Sequence, residues 1–286
     1  MKNLHSCLII SILLLKTGLT QPYTEKDSEL CSVKFQFAAS KNLDQQPIGN
    51  IISKIGKSFI GTDYVSHTLE KDSAESLVIN LSAFDCTTFL ENTLAFAMCI
   101  KEKKTTFDDY KNELMKIRYR DGVVNGYSSR LNYFSDWIFD NQKKGIIQNI
   151  SDEMGGVPIK FDVDYMSIHP DLYARLRQDT SLISVIRNQE RSIAEREYYY
   201  IPKNQIQKAE HKINEGDLIA FTTGIKGLDI DHVGIAVKGL SGKIHLLHAP
   251  NVGSKVQITG DSLSDYIEKV KKDTGIIVMR VITSQN

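Results

Sequence analysis

Asp217-Leu-Ile-Ala-Phe-Thr222, His232-Val-Gly-Ile-Ala-Val237 and Lys243-Ile-His-Leu-Leu-His248 are short apolar runs bounded by Gly, Asp and Asn. Runs of that length and punctuation predict strands. Lys255-Val-Gln-Ile258 and Gly275-Ile-Ile-Val-Met-Arg-Val-Ile282 continue the series, so this part of the chain is expected to form an antiparallel sheet or half-barrel. Upstream the period changes. Ile48, Ile51, Ile52, Ile55 and Phe59 keep helical spacing as far as Gly61, and Phe84-Asp-Cys-Thr-Thr88 opens a run of helix formers through about Lys101. Helices followed by consecutive strands predict an α+β fold instead of an alternating parallel one.

Between these two parts, residues 105–207 read as a helical insertion, with helices near 107–117, 131–144 and 170–197 separated by Gly and Pro breaks. Residues 21–47 read as a polar N-terminal segment, and 48–286 as a single catalytic domain carrying the insertion. The first twenty residues read as a signal peptide: Lys2 supplies the positive end, Cys7 to Leu15 the apolar stretch, and Thr17, Gly18 and Thr20 small residues for cleavage. That stretch is too short to span a bilayer. An exported, periplasmic protein with no stable membrane insertion is expected.

Lys+Arg and Asp+Glu are both 35, so no net charge favours nucleic acid or an anionic membrane surface. Loss of Cys7 with the leader leaves Cys31, Cys86 and Cys99, an odd number. Cys86 and Cys99 are thirteen residues apart on one predicted helix, ~20 Å, beyond disulfide reach. A Cys31–Cys99 bridge and two unpaired thiols both remain open.

Cys86 is expected at a helix start, where free N–H groups and partial positive charge lower a thiol pKa and can hold an oxyanion. Such a cysteine needs a base and a group to orient that base. The period of two puts His232, Gly234 and Ala236 on one strand face; on the next strand His248 and His245 face opposite ways, so only one of them can meet His232. His248, at the strand end beside Ala249-Pro250, is the expected partner. Histidines three apart on a strand chelate poorly, so no metal is expected. In the insertion, Arg130, Tyr133, Ser135, Asp136 and Trp137 gather groups that pair with carboxylates, accept from amines and stack on sugars.

Phe84-Asp85-Cys86-Thr87-Thr88-Phe89, preceded by Gly61-Thr62-Asp63-Tyr64 and followed by Gly216-Asp217-Leu218-Ile219, His232-Val233-Gly234-Ile235 and Leu247-His248-Ala249-Pro250, resembles the NlpC-type papain-like cell-wall peptidases. Ile117-Arg-Tyr-Arg-Asp-Gly122, Ser129-Arg-Leu-Asn-Tyr-Phe-Ser-Asp-Trp137, Asp164-Tyr-Met-Ser167 and Gly227-Leu-Asp229 are especially similar to the N-acetylmuramoyl-L-alanine amidase-like family. The likeness covers roughly residues 50 to 283. It implies a papain-like fold with nucleophile Cys86, general base His232 and orienting residue His248. It also implies a peptidoglycan-derived muropeptide as partner, bound by a substrate set of Tyr64, Asp85, Arg130, Tyr133, Ser135, Asp136, Trp137, Met166 and Ser167. A monomer needing no cofactor is expected. The bond expected to be cut joins N-acetylmuramic acid to L-alanine; the alternatives are the γ-D-glutamyl link of the stem peptide, or a peptidoglycan-binding module without activity. Thr87-Thr88 departs from the Ser-Gly usual among the larger peptidases, as does the long insertion.

Overall fold

The computed structural model describes residues 22–70 and 74–283; the expected signal peptide lies outside the described residues. Among the described residues no helix is long and apolar enough to cross a membrane. Helix α1 (Glu25–Ser40) opens with a capping box between Thr24 and Asp27, and α2 (Ile48–Lys57) follows it. The short parallel pair β1 (Asp63–Tyr64) and β2 (Ala83–Phe84) then delivers the chain to α3 (Cys86–Lys101), and α4 (Phe107–Arg118) packs beside it. Apolar residues surround α3, so it is buried on every side from Thr88 to Ile100 and forms the centre of the helical layer.

The polar reading of residues 21–47 needs correction. Cys31, Phe35 and Ala38 form a buried stripe on α1, and Leu43 beyond it is also buried. Three apolar positions at helical spacing suffice to dock a helix whose other faces are charged; the surrounding Glu, Lys and Ser residues dilute that signal in the sequence.

The insertion also departs from expectation. It contains α5 (Phe134–Lys143), α6 (Tyr165–Ile168), α7 (Ala174–Gln178) and α8 (Ser181–Ala194), but also β3 (Ile147–Asn149), β4 (Val157–Ile159) and β5 (Tyr198–Pro202). The helix expected over 170–197 is divided, with the Asp179 carboxylate accepting the Ser181 N–H where α8 begins. After α9 (Ile206–Ala209) come β6 (Leu218–Thr223), β7 (Ile230–Lys238), β8 (Ile244–His248), β9 (Gln257–Ile258), α10 (Leu263–Lys269) and β10 (Asp273–Val281). The eight-stranded sheet of the described residues runs β4-β5-β10-β6-β7-β8-β9, with β3 also paired to β10, and every pairing is antiparallel. Insertion strands thus extend the main sheet instead of belonging to a separate helical unit.

The molecule is therefore a mixed α+β structure. Leu218, Ala220, Val233, Ile235, Leu247 and Ile277 face the layer of α2 and α3. Ile219, Phe221, Ala236, Leu246, Ile276 and Val278 face α9 and α10. Alternation along β7 places His232 with Phe221 and Ala236 on the second face, at the strand end nearest the start of α3.

Candidate active site

The chemistry begins with the way α3 starts. Asp85 is the N-cap: its Oδ1 accepts the Thr88 N–H at 2.7 Å, and the Thr88 hydroxyl accepts the Asp85 N–H at 2.9 Å. The second threonine of the unusual Thr87-Thr88 pair thereby closes a capping box. Phe89 N–H is taken by the Asp85 carbonyl. Among the described residues, the backbone N–H groups of Cys86 and Thr87 make no hydrogen bond to backbone or side-chain oxygen, and that of Thr87 bears on the Cys86 sulfur.

The Cys86 thiol is half-buried at this point. Burial pushes its pKa up to about 12, and Asp85 pushes in the same direction; the Val233 N–H and the hydroxyl and N–H of Thr87 pull it back. The depressed thiol pKa expected from the helix start is thus outweighed by desolvation. Val233 adjoins His232, and His232 Nε2 lies 2.7 Å from His248 Nδ1. Burial, then His248 and Lys272, lower the His232 pKa to about 3, and burial lowers that of His248 to about 4. Both rings are neutral at neutral pH. With Nε2 engaged by His248, His232 keeps Nδ1 for the cleft. His248 shares the face of His232, whereas His245 turns away and meets the Thr259 carbonyl at 3.0 Å.

Cys86 and His232 line one cleft of about 350 Å³ with Tyr64, Asp85, Arg130, Tyr133 and Met166. Tyr64 is held against the 250s loop by donating its N–H to the Ser254 carbonyl at 2.7 Å, and its phenol senses both Cys86 and Asp85. Tyr133 donates to Glu190 and accepts the Met166 N–H at 2.9 Å, which fixes the wall opposite. Arg130 is buried and committed to Glu70, the Leu69 carbonyl and Asn132.

Four residues expected in the substrate set stand behind that wall and do not line the cleft. Ser135 is fully buried and gives its N–H to Asp229. Asp136 is clamped by Arg120 at 2.5 Å and Arg196 at 2.6 Å. Trp137 stacks on Phe134 with ring centres 4.7 Å apart, and Ser167 gives its N–H to Glu190. Counting polar residues along the chain cannot tell which of them face the opening.

Other residues of the cleft had no expected role. Asp229 accepts the N–H groups of Ser135 and Ile230 and ties the wall to β7. Gly227, at φ +79°, is crossed by Asp164 and Tyr165, whose N–H groups bond to its carbonyl. Glu91 and Arg118 lie on the cleft floor, ion-paired at 2.6 Å. Asp231 faces Asp273 and Lys272 at the strand end, and Tyr266 packs edge-on to His248. Arg118 and Asp229 both fall within the motifs that carry the resemblance, which is the signal that marks them.

The model of the AmiA-like family, described as N-acetylmuramoyl-L-alanine amidase-like, matches residues 54–276. The chain belongs to this family. It is similar to an N-acetylmuramoyl-L-alanine amidase from Bacteroides uniformis ATCC 8492, at 35% identity over 82% of this chain and 99% of that one, with a TM-score of 0.78. It is also similar to a Bacteroides fragilis protein provisionally named a xylanase, at 37% identity over 79% and 98%, TM-score 0.74. A Legionella pneumophila protein with 20% identity shares the fold, covering 89% and 95% with a TM-score of 0.68. No curated protein matches significantly. For this AmiA-like chain, the wall built by the Ser129–Trp137, Asp164–Ser167 and Gly227–Asp229 motifs lies within the matched region.

Proposed function

We propose that this protein is a peptidoglycan amidase of papain-like, NlpC type, cutting the amide between the lactyl group of N-acetylmuramic acid and L-alanine in muropeptides. One observation carries the mechanism: a thiol at a helix start shares a cleft with a histidine whose far nitrogen is held by a second histidine. The amidase name of the Bacteroides uniformis relative supports the substrate class. A glycosidase reading, as in the Bacteroides fragilis name, would place the chemistry on two carboxyls flanking a sugar bond; a thiol with a histidine pair is suited to amides.

In this reading the Cys86 sulfur attacks the amide carbonyl carbon as His232 Nδ1 takes the thiol proton. Each charge alone is costly in so dry a site, so proton transfer and attack belong together, and the resulting imidazolium is steadied by His248. The Cys86 and Thr87 N–H groups hold the tetrahedral oxyanion. Its collapse breaks the C–N bond, and His232 returns the proton to the departing amine of the L-alanyl peptide. Water, deprotonated by His232, then hydrolyses the thioester and restores the thiol. Tyr64 and Asp85 contact the substrate beside the nucleophile, and Arg130, Tyr133 and Met166 shape the opposite wall. The leader-like first twenty residues support action in the periplasm.

The test is mass spectrometry of purified muropeptides after incubation with the protein or its Cys86→Ala variant. Release of intact stem peptide and peptide-free sugar by the parent alone is expected. Cleavage after D-glutamate would instead assign the γ-D-glutamyl endopeptidase activity, and binding without any cleavage would reduce the protein to a wall-binding module.

A further inference from the structure

Arg118 and Glu91 are 1% and 2% exposed, yet both reach the floor of the cleft. Arg118 spends Nε on Glu91 and Nη1 on the Val78 carbonyl, both at 2.6 Å. Among the described residues, its Nη2 makes no hydrogen bond. Arg130, the other guanidinium of the cleft, has its three nitrogens engaged by Asn132, Leu69 and Glu70. A buried guanidinium with one donor arm open toward a cleft is a receptor for an acceptor group, and a carboxylate fits it best.

We propose that Arg118, held by Glu91, is the subsite for the free α-carboxylate of the D-glutamyl residue in the leaving peptide. This rests on the amidase reading above and adds a specificity-determining residue to it. The spacing agrees. Glu91 follows Cys86 by five residues on α3, ~7.5 Å along the axis, and the α-carboxylate lies two residues beyond the scissile carbonyl, ~7 Å in an extended peptide. Because D-glutamate is joined through its γ-carboxyl, its α-carboxylate is the first free anion past the cut bond. Glu91 holds the guanidinium in place when the subsite is empty, and the bound carboxylate takes from Nη2 a charge-assisted hydrogen bond that a neutral amide oxygen makes more weakly.

The experiment compares two synthetic substrates on the full-length parent protein: N-acetylmuramoyl-L-alanyl-γ-D-glutamyl-L-lysine with a free D-glutamyl α-carboxylate, and the same compound with that carboxylate amidated. Amidation is expected to lower kcat/KM roughly 10- to 100-fold, as loss of a charged hydrogen bond at a buried site does. Equal cleavage of both overturns the Arg118 subsite and leaves the amidase reading intact; cleavage of neither, with intact muropeptides also uncut, overturns the amidase reading and the subsite with it. A Glu91→Leu/Arg118→Met double variant removes both charges together, so no lone buried ion threatens its folding. Its expected preference between the two substrates is near one, and a preference retained at the parent level also overturns the proposal.

Discussion

His232 Nε2 and His248 Nδ1 lie 2.7 Å apart, so the orientation of the cleft-lining ring is set from the same face of the neighbouring strand. One of these nitrogens donates and the other accepts, which fixes the two tautomers relative to each other. If His232 is the base, His248 is a positioning residue with no contact to substrate. His248→Ala is expected to lower kcat by roughly 10²- to 10⁴-fold with little change in KM, and His248→Gln, which retains a hydrogen-bonding end, to recover part of the loss. Steady-state kinetics on a muropeptide checks both variants.

The three described cysteines should separate by reactivity. Burial raises all three thiols, so access separates them: Cys31 and Cys99 are buried and unpaired in the core. Cys86 borders the cleft. Brief treatment of native protein with iodoacetamide should label Cys86 alone, while denatured protein should label all three. Peptide mapping reads the result, and a mass lower by two hydrogens before reduction would instead reveal a Cys31–Cys99 bridge.

Acid and base act on stability in opposite directions at the strand end. Asp273 is raised to about 7 by burial and then by Asp231 beside it. A carboxyl raised on folding stabilises most at pH below its unfolded value, and that contribution is lost as pH rises through about 7. Asp273→Asn keeps the neutral shape, so it should be more stable than the parent at pH 8 and lose the advantage toward pH 4. His232 and His248, lowered to about 3 and 4, work the other way: unfolded histidines gain protons below 6.5 that the folded protein refuses. The variant, lacking the opposing carboxyl, should therefore lose stability more steeply between pH 6.5 and 4 in urea titrations.

Removing one partner of the Glu91–Arg118 pair strands a charge inside the protein. Arg118→Ala is expected to cost about 3–5 kcal/mol, whereas replacing both by apolar residues should cost far less. Thermal and urea unfolding of the single and double variants give the comparison.

Gly227 sits at φ +79°, and an added Cβ would meet the Asp164 carboxylate 2.3 Å away. Gly227→Ala should destabilise the wall by about 1–3 kcal/mol and raise KM more than it lowers kcat, because Tyr133 and Met166 are held through the segment that Asp164 begins.

The sheet was readable because β6, β7, β8 and β10 carry their apolar runs in sequence order, and because the β7 alternation places His232 without reference to anything distant. The same parity argument separates His248 from His245. Burial escaped notice where it depends on partners far along the chain. Asp136 and Ser135 look like ligand-binding groups until Arg120, Arg196 and Asp229 are seen to occupy them. The helix start at Cys86 was legible, but the sign of its thiol pKa shift was not, since burial, which raises it, depends on how distant parts of the chain close around the cleft. Strand β3 is three residues long with its partner far along the chain, and β5 pairs with β4 and, more than seventy residues on, with β10.

That partner, β10, is the last strand in chain order, yet it lies between β5 and β6 and also receives β3. During synthesis the nucleophile helix and both histidines emerge before Asp273–Val281 does. Until then Ile147–Asn149 has no edge to join and Tyr198–Pro202 has β4 alone, so the wall that follows Tyr133, though tied to β7 through Asp229, lacks its connection to the main sheet. A chain emerging N-terminus first thus carries every catalytic side chain of the proposed mechanism before it has a closed cleft, and the final strand works as the clasp that turns those parts into a pocket.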